Sequence, residues 1–156
     1  NTAVGTNLSS MFINCFSLTT VPLINTAACT TFASMFANCG SLSVVPLLDT
    51  SAGTNFAGMF SNCYALKSVS AFNVTNGTNF STMFNNCSSL QSAPLVGGRY
   101  SISYAYCSLG PSALDAIYTN LGTAAGAQTI TVTSNYGTTG DTPSIATTKG
   151  WTVTGS

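Results

Sequence analysis

Apolar residues recur along the first two thirds of the chain with a fixed period, and asparagine and cysteine share that period. Four columns of residues show it: Leu18, Leu42, Leu66 and Leu90; Cys15, Cys39, Cys63 and Cys87; Met11-Phe12, Met35-Phe36, Met59-Phe60 and Met83-Phe84; and Asn14, Asn38, Asn62 and Asn86. A period of this length is typical of repeat proteins, in which each unit covers the apolar face of its neighbour. The pattern predicts four stacked repeats over residues 1–97.

Each repeat divides into two predicted elements. Phe80 begins an apolar set at i, i+3, i+4 and i+7 that ends at Cys87, which predicts a helix of about two turns. Further along each unit, Leu47 follows Val45 by two residues, which fits a short strand with one buried face. We therefore expect an α/β repeat solenoid of leucine-rich-repeat type, with one short helix and one short parallel strand in each 24-residue coil.

Beyond residue 97 the same alternation of helix and strand continues in a degenerate form. A proline-initiated apolar stripe predicts a helix over 111–121, and alternation predicts a strand over 129–133. A short helix within 142–150 and a final strand over 151–154 follow. We interpret residues 98–156 as divergent repeats and a C-terminal cap that are continuous with the solenoid.

The chain is almost uncharged, since only 4% of its residues are Asp, Glu, Lys or Arg and the net charge is zero. Nucleic-acid binding requires a basic surface, which two lysines and one arginine do not supply. Histidine is absent, so histidine-based catalysis is excluded. The three aspartates lie in different units, and no apolar run approaches the ~20 residues of a membrane span. We expect no enzymatic activity and no catalytic residues.

Low charge also predicts association, because little electrostatic repulsion separates copies of the chain. We expect a homo-oligomer or a part of a larger assembly. The sequence starts at Asn1, without Met or a basic stretch, and we expect it to be processed or cut from a longer polypeptide.

The cysteine column has three interpretations: a zinc site, disulfides or buried thiols. Four zinc ligands must lie at ~2.3 Å from one ion, and a column with one cysteine per repeat cannot converge in this way. Parallel side chains also make the dihedral angle of a disulfide hard to reach. We expect thiols packed in the core, with no metal and no cofactor. Cys29 lies outside the column, where an exposed thiol is one interpretation.

Two polar columns accompany the apolar ones. Thr-Asn pairs such as Thr54-Asn55 precede the predicted helices, where their oxygens can cap free N–H groups. A regular threonine array also suits ice binding or glycan recognition. We expect the column that begins at Asn14 to bind turn backbone between helix and strand.

Solenoids bind partners through the outward positions of their strands. The candidate binding face consists of Thr19, Thr20, Ser43, Lys67, Ser68, Ser70, Gln91 and Ser92. This surface is small, polar and nearly uncharged, which suits carbohydrate or an identical neighbour.

The segments Met11 to Leu23 and Met35 to Leu47, M-F-x-N-C-x-S-L-x-x-V-P-L, resemble the BspA-like leucine-rich repeats of bacterial surface proteins. Residues 113–155 are similar to the segment that often follows such repeats in bacteriophage tail and fibre proteins. The resemblance implies adhesion and surface binding, with no transferable site residue.

Three functions remain open. We expect a non-enzymatic structural or adhesion module of a virion, from a bacteriophage fibre, tail or capsid-decoration protein. Its partners would be other virion proteins, identical copies or a host-surface glycan. The alternatives are an extracellular leucine-rich-repeat adhesin on a bacterial cell surface and an ice-binding protein.

Overall fold

Successive repeats are joined side by side through short parallel pairings. The computed structural model describes residues 5–156. Two rows of isolated bridges join equivalent residues of successive repeats: Asn7 to Thr31 to Asn55 to Asn79, and Val44 to Ser68 to Ser92. Each step is 24 residues, so the repeat period of the sequence is also the register of the backbone pairing.

The predicted helix in each repeat is wrong. The first helix among the described residues is α1 (Pro111–Asn120), which lies after the four repeats. Where helices were expected, the chain forms tight turns over 9–14, 33–38, 57–62 and 81–86, and we refer to these as the turn segments. Over residues 5–97, the four repeats therefore contain small parallel pairings and turns, without regular helix.

Alternate N–H groups of a turn segment point to different partners. In the second repeat, the N–H of Met35 donates to the carbonyl oxygen of Phe32 within the same repeat, at 3.1 Å. The N–H of Phe36 instead donates to the carbonyl oxygen of Met59 in the following repeat, at 2.9 Å. In an α-helix, both N–H groups would donate to carbonyl oxygens of the same segment. Here half of the donors connect one repeat to the next.

The spacing of the repeats explains why turns replace helices. The ring centroids of Phe36 and Phe60 lie 5.6 Å apart, and those of Phe56 and Phe80 lie 5.5 Å apart, with nearly parallel planes. Packed helices need ~8–10 Å between their axes, so helices on adjacent repeats cannot follow this ladder. The apolar pattern still identifies the core, because the set from Phe56 to Cys63 is fully buried.

The asparagine column stabilises the turn segments in two ways. Asn38, Asn62 and Asn86 adopt φ of 64°, 62° and 59°, a left-handed conformation that asparagine tolerates better than most residues. Their side chains also bond to one another: Nδ2 of Asn62 donates to Oδ1 of Asn38 at 2.6 Å, and Nδ2 of Asn86 donates to Oδ1 of Asn62 at 2.7 Å. We expected these side chains to bind turn backbone; they form a ladder between repeats instead.

The strand half of the repeat differs from the prediction in its register. Leu23 and Leu47, expected to face the core, are 79% and 64% exposed. The buried residues are Ile24 and Leu48, one position later. The proline that follows Val21 or Val45 interrupts regular alternation, because it cannot donate into a ladder.

A two-stranded parallel sheet completes the third and fourth repeats. It joins β1 (Phe72–Asn73) to β2 (Leu95–Val96), with Phe72 opposite Leu95. This step is 23 residues (72 to 95), one fewer than in the bridge rows.

The C-terminal part contains the four elements that the sequence predicted there: α1, β4 (Gln128–Thr131), α2 (Ser144–Thr147) and β5 (Trp151–Thr154). It also contains two that were not predicted, β3 (Ile102–Ser103) and a 3₁₀ helix (Tyr136–Thr139). The three strands form a parallel sheet in the order β3-β4-β5. One buried apolar cluster extends from Val21 to Trp151, and the ring of Tyr104 stacks on that of Phe84 at 5.1 Å. The boundary at residue 97 stays a prediction.

Substitutions at Asn62 separate the contribution of its ladder hydrogen bonds from that of its left-handed backbone conformation. Asn62→Ala removes the ladder bonds and places a less tolerant residue at φ 62°, so we expect a loss of about 2–3 kcal/mol in unfolding free energy. Asn62→Gly loses the same bonds but accepts the backbone conformation, so its loss should be about 1 kcal/mol smaller. Urea unfolding measures both values.

The control is Asn85→Ala, in the neighbouring position of the fourth repeat. The side chain of Asn85 is exposed and bonds to no described residue, so the change should stay below about 0.5 kcal/mol. Equal losses in the two Asn62 variants would contradict a role for the left-handed conformation.

Candidate binding surface

The eight residues of the predicted binding face lie at exposed or half-buried positions in the structure. Ser43, Lys67 and Gln91 form one column: the N–H of Lys67 donates to the carbonyl oxygen of Ser43 at 3.1 Å, and the N–H of Gln91 donates to that of Lys67 at 2.8 Å. Backbone pairing thus brings these three side chains next to one another on the surface.

A second column lies beside the first. Ser68 is bridged to Ser92 and to Val44, whose side chain is largely exposed. Thr19 and Thr20 precede the two columns by one repeat and are both exposed, and Ser70 is half-buried. Thr19 and Thr20 match the two columns in the 24-residue period, whereas Ser70 lies two residues beyond Ser68 and belongs to neither column.

The buried thiols are held by backbone oxygens of the preceding repeat. Sγ of Cys63 donates to the carbonyl oxygen of Phe36 and Sγ of Cys87 to that of Phe60, both at 3.1 Å. Burial raises the pKa of Cys63 and Cys107 to about 12, so these thiols stay protonated at neutral pH. All six cysteines are free thiols.

The interpretation of Cys29 as an exposed thiol is wrong. Its side chain is fully buried, and its Sγ donates to the carbonyl oxygen of Gly5 at 2.8 Å. Burial also raises the pKa of this thiol. Cys15 is the exposed cysteine of the chain.

The threonine column is tied to the backbone rather than to helix ends. Oγ1 of Thr54 donates to the carbonyl oxygen of Thr30 at 3.0 Å, and Oγ1 of Thr78 donates to that of Thr54 at 3.2 Å. Oδ1 of Asn55 accepts the N–H of Ala57 at 3.1 Å, which begins the turn segment. The predicted helix caps are therefore absent here, and the hydroxyl protons of this column are already used between repeats.

Charged side chains near the C-terminus hold the ends of helices. Nζ of Lys149 donates to the carbonyl oxygens of Tyr118, Thr119 and Leu121, at 3.0, 2.6 and 2.8 Å, which caps the C-terminal end of α1. The hydroxyl of Tyr118 donates to Oδ2 of Asp141 at 2.6 Å, and burial together with this carboxylate raises the pKa of Tyr118.

The other charged residues make similar contacts, with one exception. Asp115 accepts the N–H of Thr142 at 2.6 Å. Asp49 accepts the hydroxyl and the N–H of Ser51, which lowers the pKa of Asp49. Nε of Arg99 donates to the carbonyl oxygen of Thr123 at 3.1 Å. Lys67 is the exception, because its exposed side chain bonds to no residue among 5–156.

The inter-repeat ladder is interrupted after the fourth repeat, which the sequence analysis did not predict. In the third repeat, the N–H groups of Phe56, Gly58, Phe60 and Asn62 each donate to a carbonyl oxygen of the fourth repeat, at 2.8–3.0 Å. The equivalent N–H groups of the fourth repeat have no acceptor among the described residues; they belong to Phe80, Thr82, Phe84 and Asn86. We refer to these four groups as the free donor row.

A shortened step explains the interruption. The cysteine column advances 20 residues from Cys87 to Cys107 (107 minus 87), whereas it advances 24 from Cys63 to Cys87. Sγ of Cys107 lies 4.0 Å from the carbonyl oxygen of Phe84, against 3.1 Å for the equivalent pair one repeat earlier. The chain after the fourth repeat stays in contact at the core but is drawn away from the free donor row.

An open groove follows the free donor row. Two adjoining cavities of about 380 and 190 Å³ form it, and both are lined by Thr82 and Ser103. Tyr100 lines the larger cavity and Tyr106 lines the smaller one. In the sequence, the groove is indicated by the step from Cys87 to Cys107, which is shorter than the 24-residue repeat.

No helix among residues 5–156 is long and apolar enough to cross a membrane. Within the same residues, no group of three or more His, Cys, Asp or Glu side chains is placed to hold a metal ion.

The fold defines a protein of 24-residue repeats joined by small parallel sheets, followed by a C-terminal part with few helices. A family model described as "Mycoplasma protein of unknown function, DUF285" matches residues 1–96. This match covers more than half of the 156 residues, and the chain belongs to that family. The assignment is consistent with the BspA-like resemblance of the repeats. No curated protein and no solved structure matches the chain significantly.

Thiol labelling tests the burial of the cysteines. At neutral pH, we expect iodoacetamide to modify Cys15 in the native protein and to leave the five buried thiols unmodified. All six should react in denaturant, as counted by mass spectrometry. Cys15→Ser is the control, and its native form should take up no label. Rapid modification of Cys29 or Cys63 would contradict the described packing.

Amide hydrogen exchange tests the interrupted ladder. The free donor row should exchange at least about 100-fold faster than the equivalent amides of Phe56, Gly58, Phe60 and Asn62, because it lacks acceptors. Two-dimensional NMR resolves the two sets, and the third repeat serves as the internal control. Similar protection in both sets would show that the ladder is complete.

Proposed function

We propose that this chain is a repeat solenoid that acts as a non-enzymatic structural and adhesion module of a bacteriophage virion. In this proposal, stacked repeats form a rigid support, and polar surfaces on that support contact a host cell. Other virion proteins or identical copies hold the module in place.

The strongest support for the proposal is that most charged and reactive side chains are already bonded or buried within the chain itself. Lys149, Asp115 and Asp141 bond to backbone or hydroxyl groups of their own chain, and the pKa of Cys63 is raised by burial. Rows of serine, threonine and asparagine occupy the outside instead. Such a molecule is equipped for many weak polar contacts across a surface, as in adhesion, rather than for one reaction.

The virion is favoured by the C-terminal part. Residues 113–155 resemble the segment that follows similar repeats in phage tail and fibre proteins. In this chain that segment contributes α1, β4 and β5 to the same buried cluster as the repeats. Both observations support the proposal of a fibre, tail or capsid-decoration protein.

A second candidate is an extracellular adhesin on a bacterial cell. The family description names Mycoplasma, which favours a bacterial protein. The same polar surface would then contact host tissue or a neighbouring cell, and the location of the protein separates the two candidates.

Immunogold electron microscopy with antibodies against the chain tests both candidates. Gold at fixed, symmetric positions on virions from an infected culture supports the virion module, and gold on cells supports the adhesin. The purified chain should also form oligomers and bind the labelled cells or particles. Phe60→Asp, which places a charge in the aromatic stack, is the control for adhesion by unfolded protein.

A monomer that binds neither virions nor cells would overturn the proposal. Equal binding by Phe60→Asp would overturn it as well, since the contact would not depend on the folded surface.

A further inference from the structure

We propose that the groove beside the free donor row is a binding site for a neutral oligosaccharide. This inference rests on the proposed surface-contact function and assigns one site and one class of ligand to it. Beside this groove, the N–H groups of the free donor row have no acceptor among residues 5–156.

The groove offers backbone donors without backbone acceptors on its repeat side. The intervening N–H groups of Met83, Asn85 and Cys87 donate within the fourth repeat. The carbonyl oxygens of Ser81, Met83 and Asn85 accept from the third repeat. Three residues of the free donor row, Phe80, Thr82 and Phe84, line the two cavities of the groove.

A row of donors does not suit an extended peptide. A strand pairs with another strand through alternating donors and acceptors, and its own N–H groups would stay unpaired against this edge. A sugar hydroxyl accepts two hydrogen bonds and can turn its single proton elsewhere. Successive hydroxyl and ring oxygens of an oligosaccharide can accept from the free donor row.

Hydroxyl groups complete the polar lining. Ser81 and Thr82 lie on the repeat side of the larger cavity, and Ser103 and Thr129 lie across from them. The Ser103 hydroxyl accepts the N–H of Ala105 at 3.2 Å, so its proton is left to donate. The opposite side of the groove can therefore donate to a ligand and accept from it.

Two tyrosines provide flat apolar surface along the groove. Tyr100 in the larger cavity is 37% exposed, and Tyr106 in the smaller cavity is 68% exposed. An aromatic ring with a polar tip suits a ligand that has both C–H faces and hydroxyl edges, as a sugar ring does. The two adjoining cavities give room for more than one sugar unit.

The charge of the lining residues also bears on the charge of the ligand. No residue that lines either cavity is charged. Sites for phosphate or carboxylate groups normally contain Arg or Lys, which supply charge-assisted hydrogen bonds. A neutral ligand avoids burying an unpaired charge, so the groove favours neutral sugars over acidic ones.

The test titrates the full chain with neutral hexasaccharides of glucose and of N-acetylglucosamine, observed by amide NMR. One of them should bind with a dissociation constant of about 10 mM or lower and should shift the amides of Phe80, Thr82, Phe84 and Asn86. Tyr100→Ala and Tyr106→Ala should each weaken binding by roughly tenfold. Tyr64→Ala and Tyr136→Ala, which remove exposed tyrosines outside the groove, should leave it unchanged.

Several results would overturn the assignment. These are the absence of binding by both hexasaccharides, shifts confined to amides outside the groove, and equal effects of the groove and control tyrosines. Tighter binding of an acidic oligosaccharide such as polygalacturonate, or of an extended peptide, would overturn the choice of ligand. The spectra of the variants also report whether each one is folded.

Cell binding separates this inference from the proposed function. If the chain adheres to cells and no hexasaccharide binds, the groove assignment fails and the surface-contact function stands. If a hexasaccharide binds in the groove and no cell or virion is bound, the proposed function fails and the groove assignment stands.

Discussion

The division of backbone N–H groups between two partners is the constraint on which the repeats depend. One N–H of each pair closes a turn, as between Met35 and Phe32, and the next reaches the following repeat, as between Phe36 and Met59. This division sets the close spacing of the phenylalanine stacks, which a row of helices could not reach. The same geometry accounts for two other columns. The asparagines adopt the left-handed conformation at the ends of the turn segments, and the buried thiols donate to carbonyl oxygens of the preceding repeat.

The sequence was sufficient to predict the repeat and its core but not the path of its backbone. In the second, third and fourth repeats, the residues spaced at i, i+3, i+4 and i+7 are buried as expected, since a run of turns and a helix can place the same side chains inside. In the first repeat Met11 and Cys15 are exposed, contrary to the expectation. The choice between them depends on hydrogen bonds to the next repeat, which a single unit does not contain. The strand face was predicted one residue out of register at Leu23 and Leu47 for a related reason, since proline ends the alternation there. In the C-terminal part, ordinary proline and alternation signals predicted α1, β4, α2 and β5 in order, whereas β3 and the 3₁₀ helix were not predicted.

The repeat pattern also predicted the binding surfaces only in part. Residues such as Lys67 and Gln91 could be assigned to a common surface because the period alone aligns them. The groove beside the free donor row arises from an irregularity instead, the shorter step from Cys87 to Cys107. A shorter step can be absorbed by a bulge, a tighter turn or a gap, and only the three-dimensional arrangement decides among these. Tyr106 directly precedes Cys107, as Asn86 precedes Cys87, and shares its left-handed backbone, so it stands in the asparagine column without the residue type that marks the column.

The interrupted ladder also has a mechanical consequence. In a stack where each layer touches only its neighbours, resistance to a pulling force is set by the weakest contact between layers. Between the third and fourth repeats, four backbone hydrogen bonds donated from between Phe56 and Asn62 act together, whereas the next junction relies on the stacked rings of Phe84 and Tyr104 and on fewer polar contacts. Stretching along the stack would separate the molecule at that junction first. Under such a force, the repeats and the C-terminal part would behave as two mechanical units.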